Sequence, residues 1–152
     1  EYFFISLSIL GVLASFTALE ESEEIVTLSD DDKEQIAENV TNNFLQLALE
    51  NPDTTFYFFF PPYIICSWEA LARTGQVECQ VEAQRIATEI LLTADNVEVY
   101  DFSLRTDITG NLDNYTDTMH YGPWISEEIL RMIHDKEGLL TEENVEKYWN
   151  EV

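Results

Sequence analysis

At 152 residues and 45% hydrophobic, the chain has the length of one domain and enough apolar material for a single core. Its 30 Asp and Glu against 7 Lys and Arg leave a formal charge of -23, so the surface repels phosphate backbones; nucleic acid is excluded as a partner and anionic headgroups are disfavoured. The carboxylates are scattered along the chain without metal-ligand spacing, so the acidity is expected to serve solubility, with no metal and no cofactor.

Residues 2–19 read YFFISLSILGVLASFTAL, nearly uncharged and close to the length that crosses a hydrocarbon core. Three readings compete: a signal sequence or membrane anchor ending at Glu20 and Glu21, a fragment beginning inside such a segment, and a buried core helix or strand pair broken at Gly11. The first is favoured over the core reading, because so small a domain would struggle to cover the run on every face. It predicts membrane attachment through residues 2–19 and a membrane-anchored or secreted, extracytoplasmic setting.

Residues 20–29 form an acidic connector in which Ile25, Val26, Thr27 and Leu28 suggest a short strand. Ser29, followed by Asp30, Asp31 and Asp32, is an N-cap with negative charge for a first helical turn. Ile36, Val40, Phe44 and Leu47 then share one face of a helix reaching about residue 49.

Asn51, Pro52 and Asp53 make a turn, and residues 54–60 are apolar at consecutive positions, the mark of a strand buried on both faces. Pro61 and Pro62 cannot donate to a ladder and end it, so the loop of residues 61–68 falls at the carboxyl edge, where open α/β sheets bind ligands. A short helix over 68–73 stops at Gly75. A longer one over 77–94 places Ala83, Ile86, Ala87, Ile90, Leu91 and Ala94 on one side.

Residues 97–102 read as a second strand. Strand, helices, strand is the βαβ unit, which makes the fold class α/β with a small parallel sheet. Pro123 opens a helix with Ile125, Ile129, Met132 and Ile133 on its apolar face, and Thr141 caps a final, mostly polar helix. Cys66 and Cys79 lack a neighbouring cysteine or histidine, which points to two buried free thiols, or to one disulfide if the chain is exported.

Between the second strand and Gly122 the composition turns to loop chemistry and ends in Asp113-Asn114-Tyr115-Thr116-Asp117-Thr118-Met119-His120-Tyr121. A serine acyl-transfer enzyme needs a histidine to take the nucleophile's proton and a carboxylate to fix that histidine's tautomer. Asp117 and His120 supply both from one loop, their spacing letting the carboxylate reach one ring nitrogen while the other faces the site. A further idea makes Asp113, Asp117 and His120 ligands of a divalent metal.

Together with Phe60-Pro61-Pro62-Tyr63, that string resembles the SGNH/GDSL hydrolase superfamily, in its surface-associated branch whose strand ends in Phe-Pro-Pro-Tyr and whose later loop reads Asp-Asn-Tyr-x-Asp-x-x-His-Tyr. The resemblance covers about a hundred residues, from about 51 to 149. It implies a partial flavodoxin-like three-layer sandwich, His120 as general base, Asp117 as its orienting partner, and the 61–68 loop as active-site rim. Tyr63, Trp68, Tyr115 and Tyr121 are substrate-pocket candidates, with aromatic packing the competing role.

The family's nucleophile sits in a Gly-x-Ser block near the start of its domain, and Gly and Asn in later blocks donate to the oxyanion. Gly11, Gly75, Gly110, Gly122 and Gly138 are followed by no serine within two positions. The expectation is therefore the C-terminal part of a hydrolase or acyltransferase acting on ester-linked groups of surface carbohydrate polymers, inactive alone. The alternative is a catalytically degenerate acidic binding or structural module. A half-sandwich would also expose Phe56, Phe58 and Phe60 at an open sheet edge, covered by residues 2–19 or by self-association.

Overall fold

The computed structural model of the chain describes residues 2–7 and 24–151. Strands β1 (Tyr2–Ser6), β2 (Thr55–Phe60), β3 (Val97–Asp101) and β4 (Leu139–Leu140) form one sheet in the order β1-β2-β3-β4. The first three are parallel and β4 is antiparallel. The α/β class and the parallel β2–β3 pair read from the sequence are present.

Side chains alternate across a strand, so the aromatic run of β2 serves two cores. Phe56, Phe58 and Phe60 join Val97, Val99, Ala87, Leu91, Val40 and Ala48 on one side. Phe59 joins Tyr100, Phe102, Ile125, Ile129, Met132 and Ile133 on the other. Helices α4 (Val77–Leu91) and α1 (Asp30–Val40) supply the first layer, and α6 (Pro123–His134) the second, giving a small α/β/α arrangement.

Ser29 caps α1 as its sequence suggests. Its hydroxyl accepts from the Asp32 amide while Asp32 accepts from the Ser29 amide, a reciprocal capping box. The helix does not run on with one phase. Residues Thr41–Leu45 form a π-helical turn before α2 (Gln46–Glu50), which shifts the apolar face by about one position. Val40 is buried and Phe44 packs on the core as expected, but Leu47 is 39% exposed and Ala48 is fully buried in its place.

Two other expectations change. Residues 25–28 are extended but not a strand: Val26 gives its amide to Gly75 O (2.8 Å), and its carbonyl accepts from Cys79 Sγ (3.2 Å), so the segment is pinned to helix ends and joins no ladder. Both cysteines are free, but only Cys79 is buried; Cys66, on the first turn of α3 (Ile65–Arg73), is exposed.

The beginning of the apolar N-terminal run is a strand. Tyr2–Ser6 lies along β2 in the register Tyr2↔Thr55 to Ser6↔Phe59 and closes the edge at which Phe56, Phe58 and Phe60 would have been open. Residues 8–23, which hold most of the expected anchor and part of the connector, lie outside the described residues. Among the described residues no helix is long and apolar enough to cross a membrane.

The short helix α5 (Thr106–Thr109), a 3-10 turn at Leu112–Asn114 and the segment up to Gly122 connect β3 to α6. The chain ends in α7 (Val145–Glu151), which seats Trp149 edge-on against Phe60.

Candidate functional site

Three chain segments meet at the carboxyl edge of the parallel strands, where the β1 and β2 backbones leave the sheet. Ser6 ends β1, Pro61 and Pro62 follow β2, and residues 114–122 fold back from the loop after β3. Between them lies a cavity of about 290 Å³ lined by Ser6, Pro61, Tyr63, Met119, His120 and Tyr121.

The Asp117–His120 loop is a miniature hairpin. Tyr115 and Tyr121 form an antiparallel bridge, the Thr116 amide and hydroxyl both donate to His120 O (2.8 and 2.9 Å), and the Gly122 amide donates to Asn114 O (2.8 Å). The Trp124 ring lies over Gly122, and a Cβ there would meet that ring at 2.3 Å unless the half-exposed indole moved aside.

At the tip, Asp117 performs two tasks with one carboxylate. Its Oδ1 accepts from the Met119 and His120 amides, each at 2.8 Å. Its Oδ2 lies 2.8 Å and its Oδ1 3.0 Å from His120 Nδ1. The backbone amides of Met119 and His120, then the imidazole, hold the Asp117 carboxyl down to about 2. An ionised carboxylate only accepts, so Nδ1 carries the hydrogen that faces it, and in a neutral imidazole this leaves Nε2 with the lone pair a base requires. The pair is open to water, with 76% of the His120 side chain and 54% of that of Asp117 exposed.

Tyr63 and Tyr121 line the cavity; Trp68 and Tyr115 stand outside it. Trp68 packs with Tyr63, Leu71 and Val77, its indole N–H buried without a hydrogen-bond partner among the described residues. Tyr115 crosses to the other wall and donates its hydroxyl to Pro62 O at 2.6 Å, linking the histidine loop to the loop after β2. Burial, then the neighbouring Tyr121, pushes the Tyr115 phenol up to about 12, so it stays a donor throughout the neutral range.

Asp113 is not gathered with Asp117 and His120: among the described residues no group of three or more His, Cys, Asp or Glu side chains can hold a metal ion.

Ser6 and Met119 line the cavity without having been candidates in the sequence, and Ser6 is the hydroxyl-bearing one. No glycine marks it, and its run reads as membrane-like. The available signal was its position at the end of an aromatic five-residue stretch that suits a strand. Pairing with Phe59 puts it at the same carboxyl edge as the Pro61 and Pro62 turn.

No family model, no curated protein and no solved structure matches this chain.

Proposed function

We propose that the chain carries the acyl-transfer site of an SGNH-like hydrolase or acyltransferase acting on ester-linked groups, with Ser6 as nucleophile, His120 as general base and Asp117 as its orienting carboxylate. One observation carries this reading: Ser6 and His120 line the same cavity while Asp117 holds the other side of the imidazole.

In this reading His120 Nε2 takes the hydroxyl proton as Ser6 Oγ attacks the ester carbonyl carbon, and the carbonyl π pair moves onto oxygen. When that pair returns, the C–O bond to the alcohol breaks and the alcohol leaves with the proton held by His120. Water, or an acceptor alcohol in a transferase, then repeats the two steps on the acyl-Ser6 ester. Asp117 stays ionised and stabilises the imidazolium.

Among the described residues the cavity wall carries no Lys or Arg, and the chain is strongly acidic, which favours esters of uncharged molecules, such as acylated carbohydrate polymers, over anionic ones. Attachment at a membrane through the part of the apolar run that follows β1 (Tyr2–Ser6), with an extracytoplasmic site, belongs to the same proposal. Fractionation of cells expressing the chain tests it, with recovery in the soluble cytosol as the contrary result.

The activity test is hydrolysis of p-nitrophenyl acetate and of an O-acetylated polysaccharide. Turnover is expected, with Ser6→Ala and His120→Ala abolishing it and Asp117→Asn lowering kcat by up to about 10⁴-fold, the scale for the carboxylate of a serine triad. Turnover that survives Ser6→Ala counts against the assignment. No turnover in the unaltered chain favours the second reading, an acidic binding module, which draws support from a cavity wall that bears neither Gly nor Asn among the described residues.

A further inference from the structure

A serine acyl transfer needs a donor aimed at the oxygen on which charge develops, and this is usually the largest single contribution to the rate. The resemblance leads one to expect Gly and Asn donors, yet the residues lining the cavity are Ser6, Pro61, Tyr63, Met119, His120 and Tyr121. The amide next to the nucleophile is committed, since Leu7 N donates to Phe59 O at 2.8 Å as part of the sheet. The nearby Asn114 side chain is also engaged: its amide donates to Ile108 O (3.1 Å) and its Oδ1 accepts from Trp124 Nε1 (3.4 Å). Pro61 has no N–H to offer. Apart from Ser6 and His120 themselves, the side-chain donors lining the cavity among the described residues are the phenols of Tyr63 and Tyr121.

Of these, Tyr121 is next to the base in the chain and the more rigidly placed with respect to it. Its backbone is bridged to Tyr115, and Tyr115 is tied to Pro62, so the hairpin that sets His120 sets Tyr121 too. We propose that the Tyr121 hydroxyl donates to the oxyanion formed when Ser6 attacks the ester, taking the place of the family's Gly and Asn donors. This rests on the acyl-transfer reading given above.

Two features suit the phenol to the task. Burial, then the neighbouring Tyr63, pushes its ionisation upward, so the hydroxyl keeps its proton at neutral pH. It is also half-buried, whereas His120 is exposed, so its hydrogen bond works in a drier part of the site than the dyad does. In the adduct the negative oxygen accepts from the Tyr121 O–H. When the alcohol is expelled, the electron pair returns to the carbonyl and the phenol keeps its proton throughout.

The test uses the full chain with p-nitrophenyl acetate as substrate and a phenylboronic acid as a tetrahedral mimic on Ser6. For Tyr121→Phe the expected result is a fall in kcat of about 10²- to 10³-fold with KM changed by less than about twofold, the scale for removing one oxyanion donor. Affinity for the boronic acid should fall by a similar factor. Tyr121→3,5-difluorotyrosine, with a more acidic phenol, keeps the ring and should lower the pH at which kcat declines on the alkaline side. A merely structural ring would leave that profile unmoved, and the variant serves if Tyr121→Phe fails to fold. Unchanged kcat in Tyr121→Phe, with Ser6→Ala and His120→Ala inactive, overturns this proposal and leaves the acyl-transfer reading standing. Absence of turnover in the unaltered chain overturns both.

Discussion

The Tyr115 hydroxyl donates to the Pro62 carbonyl across 2.6 Å, joining two loops that are more than fifty residues apart in the chain. Pro62 is fully buried, so its carbonyl has little access to water if that donor is removed. Tyr115→Phe is expected to cost about 1–3 kcal/mol, the usual penalty for orphaning a buried acceptor. Denaturant unfolding measures it. A cost below about 0.5 kcal/mol would mean that water replaces the phenol.

Asp117 offers a second check. Its carboxyl is held at about 2 by the amides of Met119 and His120 and by the imidazole. A depressed folded-state pKa stabilises the hairpin above the ordinary carboxylate range, and this stabilisation is lost as the pH falls through about 2. The amide resonances of Met119 and His120 should therefore stay unchanged through about pH 4, the ordinary aspartate range, and move only near pH 2. A midpoint near 4 would show that the carboxylate does not accept those hydrogen bonds in solution.

Asp101 behaves in the opposite sense. It ends β3 buried, with Oδ1 accepting from the Ser103 amide at 2.6 Å and the Tyr148 hydroxyl nearby. Burial pushes its carboxyl up, against the smaller effects of Ser103 and of the nearby Tyr148 hydroxyl. Its contribution is thus fully present below the ordinary aspartate range and is lost as pH rises through the elevated folded-state value. Asp101→Asn removes the charge and keeps the acceptor for Ser103, so it should flatten this decline and raise stability at pH 8 relative to the parent. Urea midpoints from pH 4 to pH 8 decide it; an unaltered slope would show that Asp101 ionises as freely as an exposed carboxylate.

The π-helical turn makes a prediction that a regular helix would reverse. After it, Ala48 is fully buried and Leu47 is 39% exposed. Ala48→Leu should cost about 1–3 kcal/mol by overpacking. Leu47→Ala should cost well under the roughly 2–5 kcal/mol typical of a buried leucine. The opposite ranking in thermal denaturation would mean that the helix keeps one phase in solution.

The sequence made some of this legible, and the reasons differ by element. α6 was readable because Ile125, Ile129, Met132 and Ile133 repeat at helical spacing and all four are buried. β2 and β3 were readable because short apolar runs bounded by turns suit buried parallel strands. β1 was not, since an unbroken apolar run has no period to separate strand, core helix and membrane span. β4 has two residues and exists through its pairing with β3. The π turn leaves no mark in the residue pattern, which is why Leu47 was assigned to the core.

At the site, the Asp117–His120 pairing followed from chemical spacing, and its hydrogen bonds have the anticipated partners. Tyr63 and Tyr121 came to the cavity, while Tyr115 and Trp68 took other places, because an aromatic residue in a loop carries no sign of which wall it will join. Ser6 depended on a strand register that no local motif encodes.

That register also governs the order in which the site is assembled. β1 pairs with a strand about fifty positions further along the chain, and such contacts carry a loop-closure cost that delays them relative to local helices. The Asp117–His120 hairpin, by contrast, closes over a handful of residues. On the acyl-transfer reading proposed above, the dyad is thus ready early and the serine arrives only when the distant strand docks, so a chain still folding would hold a base with nothing to activate.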